Sequence, residues 1–412
     1  MKVLIVNKFL YYNGGSETYI FELAKELEKL GHEVQFFGME HPDRVAGNKV
    51  GAYTSNMDFH GGRLSKLLYP FKIIYSREAR KKIRLVLDDM RPDVVHLNNI
   101  NFQLTPSIIL EIKKWAKDRG ANCRIVATIH DPQWVCPNHM LINGKSGKGC
   151  TNCLNGRYIS CTNCRCIHGS LLKSLIGSIE ARLYRNIHVY RNVDVVLCPS
   201  HFMKETMDHN PDISDRTVMF RNFLTVSEPD SKEVEQYRQT IGLGENDRYV
   251  LYLGRYSEEK GIHTLVKAAK ALPDIRFIFA GSGPFEDEVN SVPNIKNMGF
   301  VAEKERDMLL SAADFSLIAS ECYENCPFTV MESLTLGTPV IGADIGGIPE
   351  LIEKGKTGEL FKSGSPEDLA KKIKELWEDL ERIASYRKNC AEVKYMDLGD
   401  YTKEIVDKYY RN

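Results

Sequence analysis

The sequence predicts an α/β fold of two doubly wound parallel sheets, one in each half of the chain. Three observations predict it. Short apolar runs of strand length recur along the chain, bounded by glycine, asparagine and proline turns, as parallel strands buried on both faces require. Segments of helical period separate them, which supplies the crossovers parallel strands need. At 412 residues the chain is long enough for two ordinary domains, and the stretch 220–229 has neither period, so it reads as a hinge between them.

Composition narrows the function classes. Lys and Arg total 55 and so do Asp and Glu, so no general attraction to nucleic acid is expected. The apolar start 2–7 is too short for a signal peptide and reads as a first strand. No run approaches the eighteen apolar residues of a membrane span. A cytoplasmic enzyme is the expectation, and its eleven cysteines then read as thiols or metal ligands rather than disulfides.

In order, 2–7 is a strand, Gly14-Gly15 turns the chain, and Ser16 is placed to cap a helix with Ile20, Leu23, Leu27 and Leu30 on one face. The stretch 31–38 returns as a strand. Residues 63–84 set Arg63, Lys66, Lys72, Arg77, Arg80, Lys81, Lys82 and Arg84 against one acid, Glu78, among apolar residues. That pattern suits an anionic bilayer or a polyprenyl-diphosphate acceptor, or equally a solvated helix face, and Pro70 interrupts a single helix. Strands at 92–98 and 124–130 follow, and His130-Asp131 lies where the second ends, the end at which open α/β sheets bind ligands.

Next comes a cysteine-rich stretch with Cys136, Cys150, Cys153, Cys161, Cys164 and Cys166. Cys150-x-x-Cys153 and Cys161-x-x-Cys164 have the spacing of zinc chelates. The stretch is rich in Gly, Asn, Lys and Ser, so structural zinc is the expected source of its order, with a loop of reduced thiols as the alternative. A helix at 171–190 and a strand at 193–199 complete the first half.

The second half restarts with a strand at 249–254. Arg255 and Lys260-Gly261 follow, two cations ahead of a helix, able to offset a diphosphate's charge with no catalytic metal. Strand 276–281 leads into Gly281-Ser-Gly283-Pro284, where backbone can approach a ligand closely. A short strand, 297–301, ends at Val301. Strand 314–320 is followed by Cys322-Tyr-Glu324-Asn325-Cys326-Pro327-Phe328, then a helix holding Glu332 and ended by Gly337. A helix start offers free N–H groups and a partial positive charge, a cradle for phosphate. Two carboxylates beside it suit sugar hydroxyls, so the expected ligand is a nucleotide sugar. The helices beyond Pro366 carry no chemical signature, and the last, near 398–410, is expected to cross back to the first domain.

The set Gly14-Gly15, His130-Asp131, Arg255…Lys260-Gly261, Gly281-Ser-Gly283-Pro284 and Glu324-x7-Glu332 with Gly346-Gly-Ile-Pro-Glu350 resembles the retaining family 4 glycosyltransferases of GT-B fold. Glu324-Asn-Cys-Pro-Phe and the cysteine cluster resemble a subgroup common in bacterial surface-polysaccharide gene sets. The resemblance implies two Rossmann-like domains facing across a cleft. The first, 1–222, would bind acceptor, carry the cysteine-rich insertion at 131–168 and include the closing helix 393–412. The second, 223–392, would bind the nucleotide sugar. Arg255 and Lys260 would hold the diphosphate, with Gly14 and Gly15 closing on it. Gly281 and Gly283 would admit the donor, and Val301 would meet the base through its backbone. Glu332 would bind ribose. Glu324 and His130 would serve the sugar's hydroxyls, while Asn325, Cys326, Pro327 and Phe328 would line the donor. In that subgroup the recurring thiols match Cys136, Cys150, Cys153, Cys161 and Cys166, four of which would bind zinc, with Cys164 an extra.

The implied activity is retaining transfer of a hexose from a nucleoside-diphosphate sugar, UDP rather than GDP. The acceptor would be a hydroxyl of a glycan or polyprenyl-diphosphate-linked oligosaccharide, met at the inner face of the membrane through peripheral contact. Alternatives are a nucleotide-sugar epimerase or hydrolase on the same fold, and a zinc-cluster adaptor.

Overall fold

The structure is a computed structural model and describes residues 1–56, 73–244 and 246–411. The chain forms two compact units, Met1–Asn222 with Leu398–Asn412, and Phe223–Asp397.

The first unit is built on one parallel six-stranded sheet in the order β2-β1-β3-β4-β5-β6. The strands are β1 (Lys2–Val6), β2 (Glu33–Phe37), β3 (Val94–Leu97), β4 (Arg124–Thr128), β5 (Val195–Cys198) and β6 (Thr217–Met219). Helices cover both faces, so β3 and β5 are buried at every position. The first crossover, α1 (Gly15–Lys29), buries Tyr19, Ile20, Leu23 and Leu27. Its predicted cap differs: Gly14 holds the N-cap position without a side-chain cap, because the Ser16 hydroxyl donates to Glu17 Oε1 at 2.9 Å and accepts from Asn99 Nδ2 at 3.0 Å. Leu30, expected on the buried face, is exposed.

Of the basic 63–84 segment, residues 63–72 lie outside the described residues. The remainder enters α2 (Arg77–Met90), capped by the Ser76 hydroxyl accepting from Ala79 N. Arg80 pairs with Glu111 at 2.6 Å, and Arg84 with Glu111 at 3.2 Å and Asp118 at 3.1 Å, on the helix α3 (Ser107–Arg119). Those two cations serve helix packing, whereas Arg77 and Lys81 face solvent. The closing helix Leu398–Ile405 belongs to this unit. Tyr401 is fully buried, with its hydroxyl 2.8 Å from that of Tyr19, and the Tyr410 hydroxyl lies 2.6 Å from His96 Nδ1.

The second unit repeats the plan with the order β12-β11-β10-β7-β8-β9, again parallel. Its strands are β7 (Val250–Leu253), β8 (Phe277–Ala280), β9 (Ile295–Asn297), β10 (Phe315–Ile318), β11 (Val340–Ala343) and β12 (Gly358–Phe361). The core runs from Val250 and Phe279 through Val330 and Ile341 to Leu369 and Tyr386. Two strands, β6 and β12, carry no clear signal in the sequence, and β9 stops before Val301, which sits in the loop ahead of the helix Glu303–Ala312.

Candidate active site

In the second unit the strand order reverses direction between β7 and β10, the switch point outside whose carboxyl ends such sheets hold ligands. The turn after β7 carries Arg255, exposed, and then the single 3-10 turn Glu258–Lys260. The loop after β10 carries Glu324. Lys260 Nζ meets Glu324 Oε1 at 2.5 Å, and the Ser320 hydroxyl donates to the same oxygen at 2.7 Å. Burial works against the Lys260 ammonium, but the charge and hydrogen bond of Glu324, with Cys322 and Glu259 nearby, together offset it and leave the pKa above the ordinary lysine value. Gly261 makes this approach possible: it sits at φ 71, and a Cβ there would lie 1.9 Å from the Ala319 carbonyl oxygen. Backbone bonds from Glu321 N (2.9 Å) and Cys322 N (3.3 Å) to the Glu259 carbonyl hold the two loops together.

Glu332 is the fifth residue of the helix Phe328–Thr335, which starts after Pro327 at the N-cap, and Gly337 follows its end at φ 74. The carboxylate is buried against Arg306, whose Nη1 lies 2.9 Å from Glu332 Oε1, while Nη2 holds Asp307 at 2.7 Å. Burial pushes the Glu332 pKa up to about 7, with Arg306 pulling it back. Arg306 is absent from the sequence reading, and so is Ser320. Cys326 is buried with Sγ 3.4 Å from Met331 Sδ, and Asn325, Pro327 and Phe328 are half-buried around the helix start. The Gly346-Gly347 turn closes on this loop, with Gly347 N donating to Glu324 O at 2.8 Å.

Further along the sheet edge the turns after β7, β8 and β9 nest together. Gly281 N donates to Gly299 O at 2.7 Å, and Cβ atoms at Gly281 and Gly283 would strike Gly254 O and Tyr256 O at 1.9 and 2.3 Å. Gly281, Gly283 and half-buried Val301 therefore share the edge that carries Arg255.

The first unit has its own switch point, between β1 and β3. Beside it Asn7, fully buried, donates through Nδ2 to Glu17 Oε1 at 2.9 Å and accepts Asn99 N at 3.0 Å. Burial raises the Glu17 pKa against these hydrogen bonds. The Gly14 carbonyl accepts from Glu17 N and Thr18 N, both at 3.2 Å, at the start of α1, with Gly15 its first residue. His130, two residues past β4, places Nε2 2.9 Å from Asn98 Oδ1; a carbonyl oxygen only accepts, so Nε2 carries the proton. Burial lowers its pKa to about 4, so the imidazole is neutral at physiological pH and Nδ1 is left an acceptor. Asp131 pairs instead with His139 at 3.7 Å. The Asn7–Glu17–Asn99 network carries no spacing signal, since its members meet only once the sheet forms.

The cysteine-rich insertion has packing of its own. Cys153 and Cys161 are buried around Tyr158, with Cys166, Ile167 and Ala181 packed against them, so the stretch owns a small apolar core. Backbone pairing also ties it down, with Cys150 N donating to Leu141 O at 2.6 Å. Burial pushes the thiols of Cys136 and Cys153 up to about 12 and raises Cys161 and Cys166 as well. Cys136 Sγ donates to Asn138 Oδ1 at 2.8 Å, and Cys164 Sγ accepts from Asn143 at 3.3 Å. Among the described residues no three His, Cys, Asp or Glu side chains are arranged to hold a metal ion. Cys136, Cys150, Cys153, Cys161 and Cys166, the thiols expected to include the zinc ligands, lie close enough to one another for their charges to interact. Buried Leu154 and Tyr158 add apolar packing to a stretch whose composition is mostly polar.

Comparison with known proteins places the chain among relatives. Residues 13–227 match Glycosyltransferase Family 4, and residues 233–393 match Glycosyl transferases group 1. The chain is 24% identical to N-acetyl-alpha-D-glucosaminyl L-malate synthase of Bacillus anthracis, over 96% of this chain and 92% of that protein. It is 24% identical to a 42.6 kDa protein in the cps region of Klebsiella pneumoniae, over 85% and 87%. A 31% match to sulfoquinovosyl transferase SQD2 of Arabidopsis thaliana covers 36% of this chain and only 30% of that protein. Among solved structures, HepE of Anabaena in complex with UDP aligns with a TM-score of 0.69 over 99% of both chains at 17% identity.

Proposed function

The chain belongs to glycosyltransferase family 4, and from that premise we propose that it moves a hexose from a UDP-sugar to a hydroxyl of a glycan or lipid-linked oligosaccharide, with retention. The observation that carries this reading is the pairing of Lys260 with Glu324 at the β7/β10 switch point. It keeps an ammonium charged and fixed beside the helix start before a donor arrives. Support for the donor comes from HepE, solved with UDP and with UDP-glucose, and for the setting from the Klebsiella relative of the cps region.

In the proposed reaction the bond from the anomeric carbon to the phosphate oxygen breaks, and the diphosphate gains negative charge as the sugar gains oxocarbenium character. Arg255, Lys260 and the N–H groups opening the Phe328–Thr335 helix meet that charge. Glu332 accepts hydrogen bonds from ribose, and Glu324 serves the sugar's hydroxyls. The acceptor hydroxyl attacks from the leaving group's face, its proton passing to the departing phosphate oxygen, so no separate strong base is required.

The test is the kinetics of Lys260→Ala and Arg255→Ala with a panel of UDP-sugars. Each should lower kcat about 10²–10³-fold, since each leaves developing charge unmet. Near-normal turnover in both contradicts the proposal. Sugar release or epimerisation without acceptor, at the rate seen with it, would instead mark a hydrolase or epimerase.

A further inference from the structure

The helix Leu171–Asn186 is inverted for a surface helix. Its buried residues are Ser174, Gly177, Ser178, Glu180 and Tyr184, which are small or polar. Its outer face carries Leu171, Leu172, Leu175 and Ile179, which are 55, 65, 38 and 47% exposed. At about 100° per residue these four fall within an arc of roughly 100°. An ordinary amphipathic surface helix turns such a stripe inward.

The inversion is locked. Ser178 Oγ donates to Tyr158 O at 2.7 Å and meets Thr162 Oγ1 at 2.8 Å, and a Cβ at Gly177 would lie 2.6 Å from Ile167 Cδ1. Rolling the helix to bury its leucines would strand those hydroxyls. The exposed charges just before and along the helix have one sign. Between residues 157 and 187 Arg157, Arg165, Lys173 and Arg182 are exposed, while the single carboxylate, Glu180, is buried.

A second copy of the chain seated on this face would set cations against cations. An apolar stripe whose exposed charged neighbours along the chain are cations complements a surface that is apolar beneath and anionic above. We propose that this face seats on a lipid bilayer with anionic headgroups, the helix lying in the interface plane with Leu171, Leu172, Leu175 and Ile179 inserted. Among the described residues no helix is long and apolar enough to cross a membrane, so the contact is peripheral. The proposal stands on this helix alone and does not depend on the donor site.

The experiment is co-sedimentation of the full chain with phosphatidylcholine vesicles, with and without phosphatidylglycerol. The wild-type protein should pellet with the anionic vesicles and remain in solution with the neutral ones. Leu172→Gln/Ile179→Gln and Lys173→Glu/Arg182→Glu should each weaken that binding about tenfold or more, with unchanged thermal melting. Failure of the wild type to bind anionic vesicles overturns the proposal, as does unaltered binding by both variants. A dimer in sedimentation velocity that Leu172→Gln/Ile179→Gln dissociates would make the face a copy-to-copy interface, and that also overturns it.

Discussion

Each carboxylate of the candidate donor site carries its own cation, Glu324 with Lys260 and Glu332 with Arg306. Removing Arg306 leaves Glu332 buried without its charge partner, which costs about 2–3 kcal/mol of stability and drives the carboxyl further toward its neutral form. Arg306→Met should therefore lower the melting temperature and weaken UDP binding by calorimetry, with the gap from wild type widening as pH rises through about 7, where wild-type Glu332 ionises beside Arg306. Glu332→Gln in the same background should restore much of the lost stability without restoring affinity. Full additivity of the two substitutions would show that the pair does not act as a unit. Arg306 was illegible in the sequence because an ion pair between distant helices leaves no spacing to read. The Lys260–Glu324 meeting was within reach, since both residues follow strands whose carboxyl ends the crossover rule brings to one edge. Ser16 shows the opposite failure: its spacing suggests a cap, but Glu17 and Asn99 compete for the hydroxyl and win.

At the scale of the element, the strands were legible because parallel strands covered on both faces are continuous apolar runs, as in β1, β3 and β10. The three-residue β6 is too short to show a pattern. The Leu171–Asn186 helix was expected from its period, but its inversion was not, because period alone does not say which face is inside. That inversion has a consequence for pH. Glu180 on the inner face has its pKa pushed up to about 8, by burial alone. A carboxyl raised in the fold binds its proton more tightly there than when unfolded. Its contribution to stability is therefore present below its unfolded pKa of 4.5 and lost as pH rises through about 8. Glu180→Gln removes that loss, so its melting temperature should gain on the wild type progressively from about pH 4.5 to 8. A gap that stays constant or narrows across this range would contradict a buried, proton-holding Glu180.

At the scale of the molecule, the two sheets share a plan but differ in strand order, and the first unit is completed only by the chain's last residues. Tyr401 and Tyr410 are buried, against Tyr19 and His96. Ending the chain before Leu398 should therefore loosen the first unit and spare the second. Hydrogen exchange would report this as lost protection in β1, β3 and β4 with β7, β8 and β10 unchanged; equal loss in both sets would mean the units do not fold separately.

The central claim is that the β7/β10 switch point holds a diphosphate, and a crystal structure of the protein with a bound UDP-sugar tests it most directly. The account predicts phosphate oxygens within hydrogen-bond reach of Lys260 and Arg255 and ribose hydroxyls on Glu332. Phosphates bound away from the carboxyl ends of β7 and β10, with Glu332 still closed on Arg306, would contradict it.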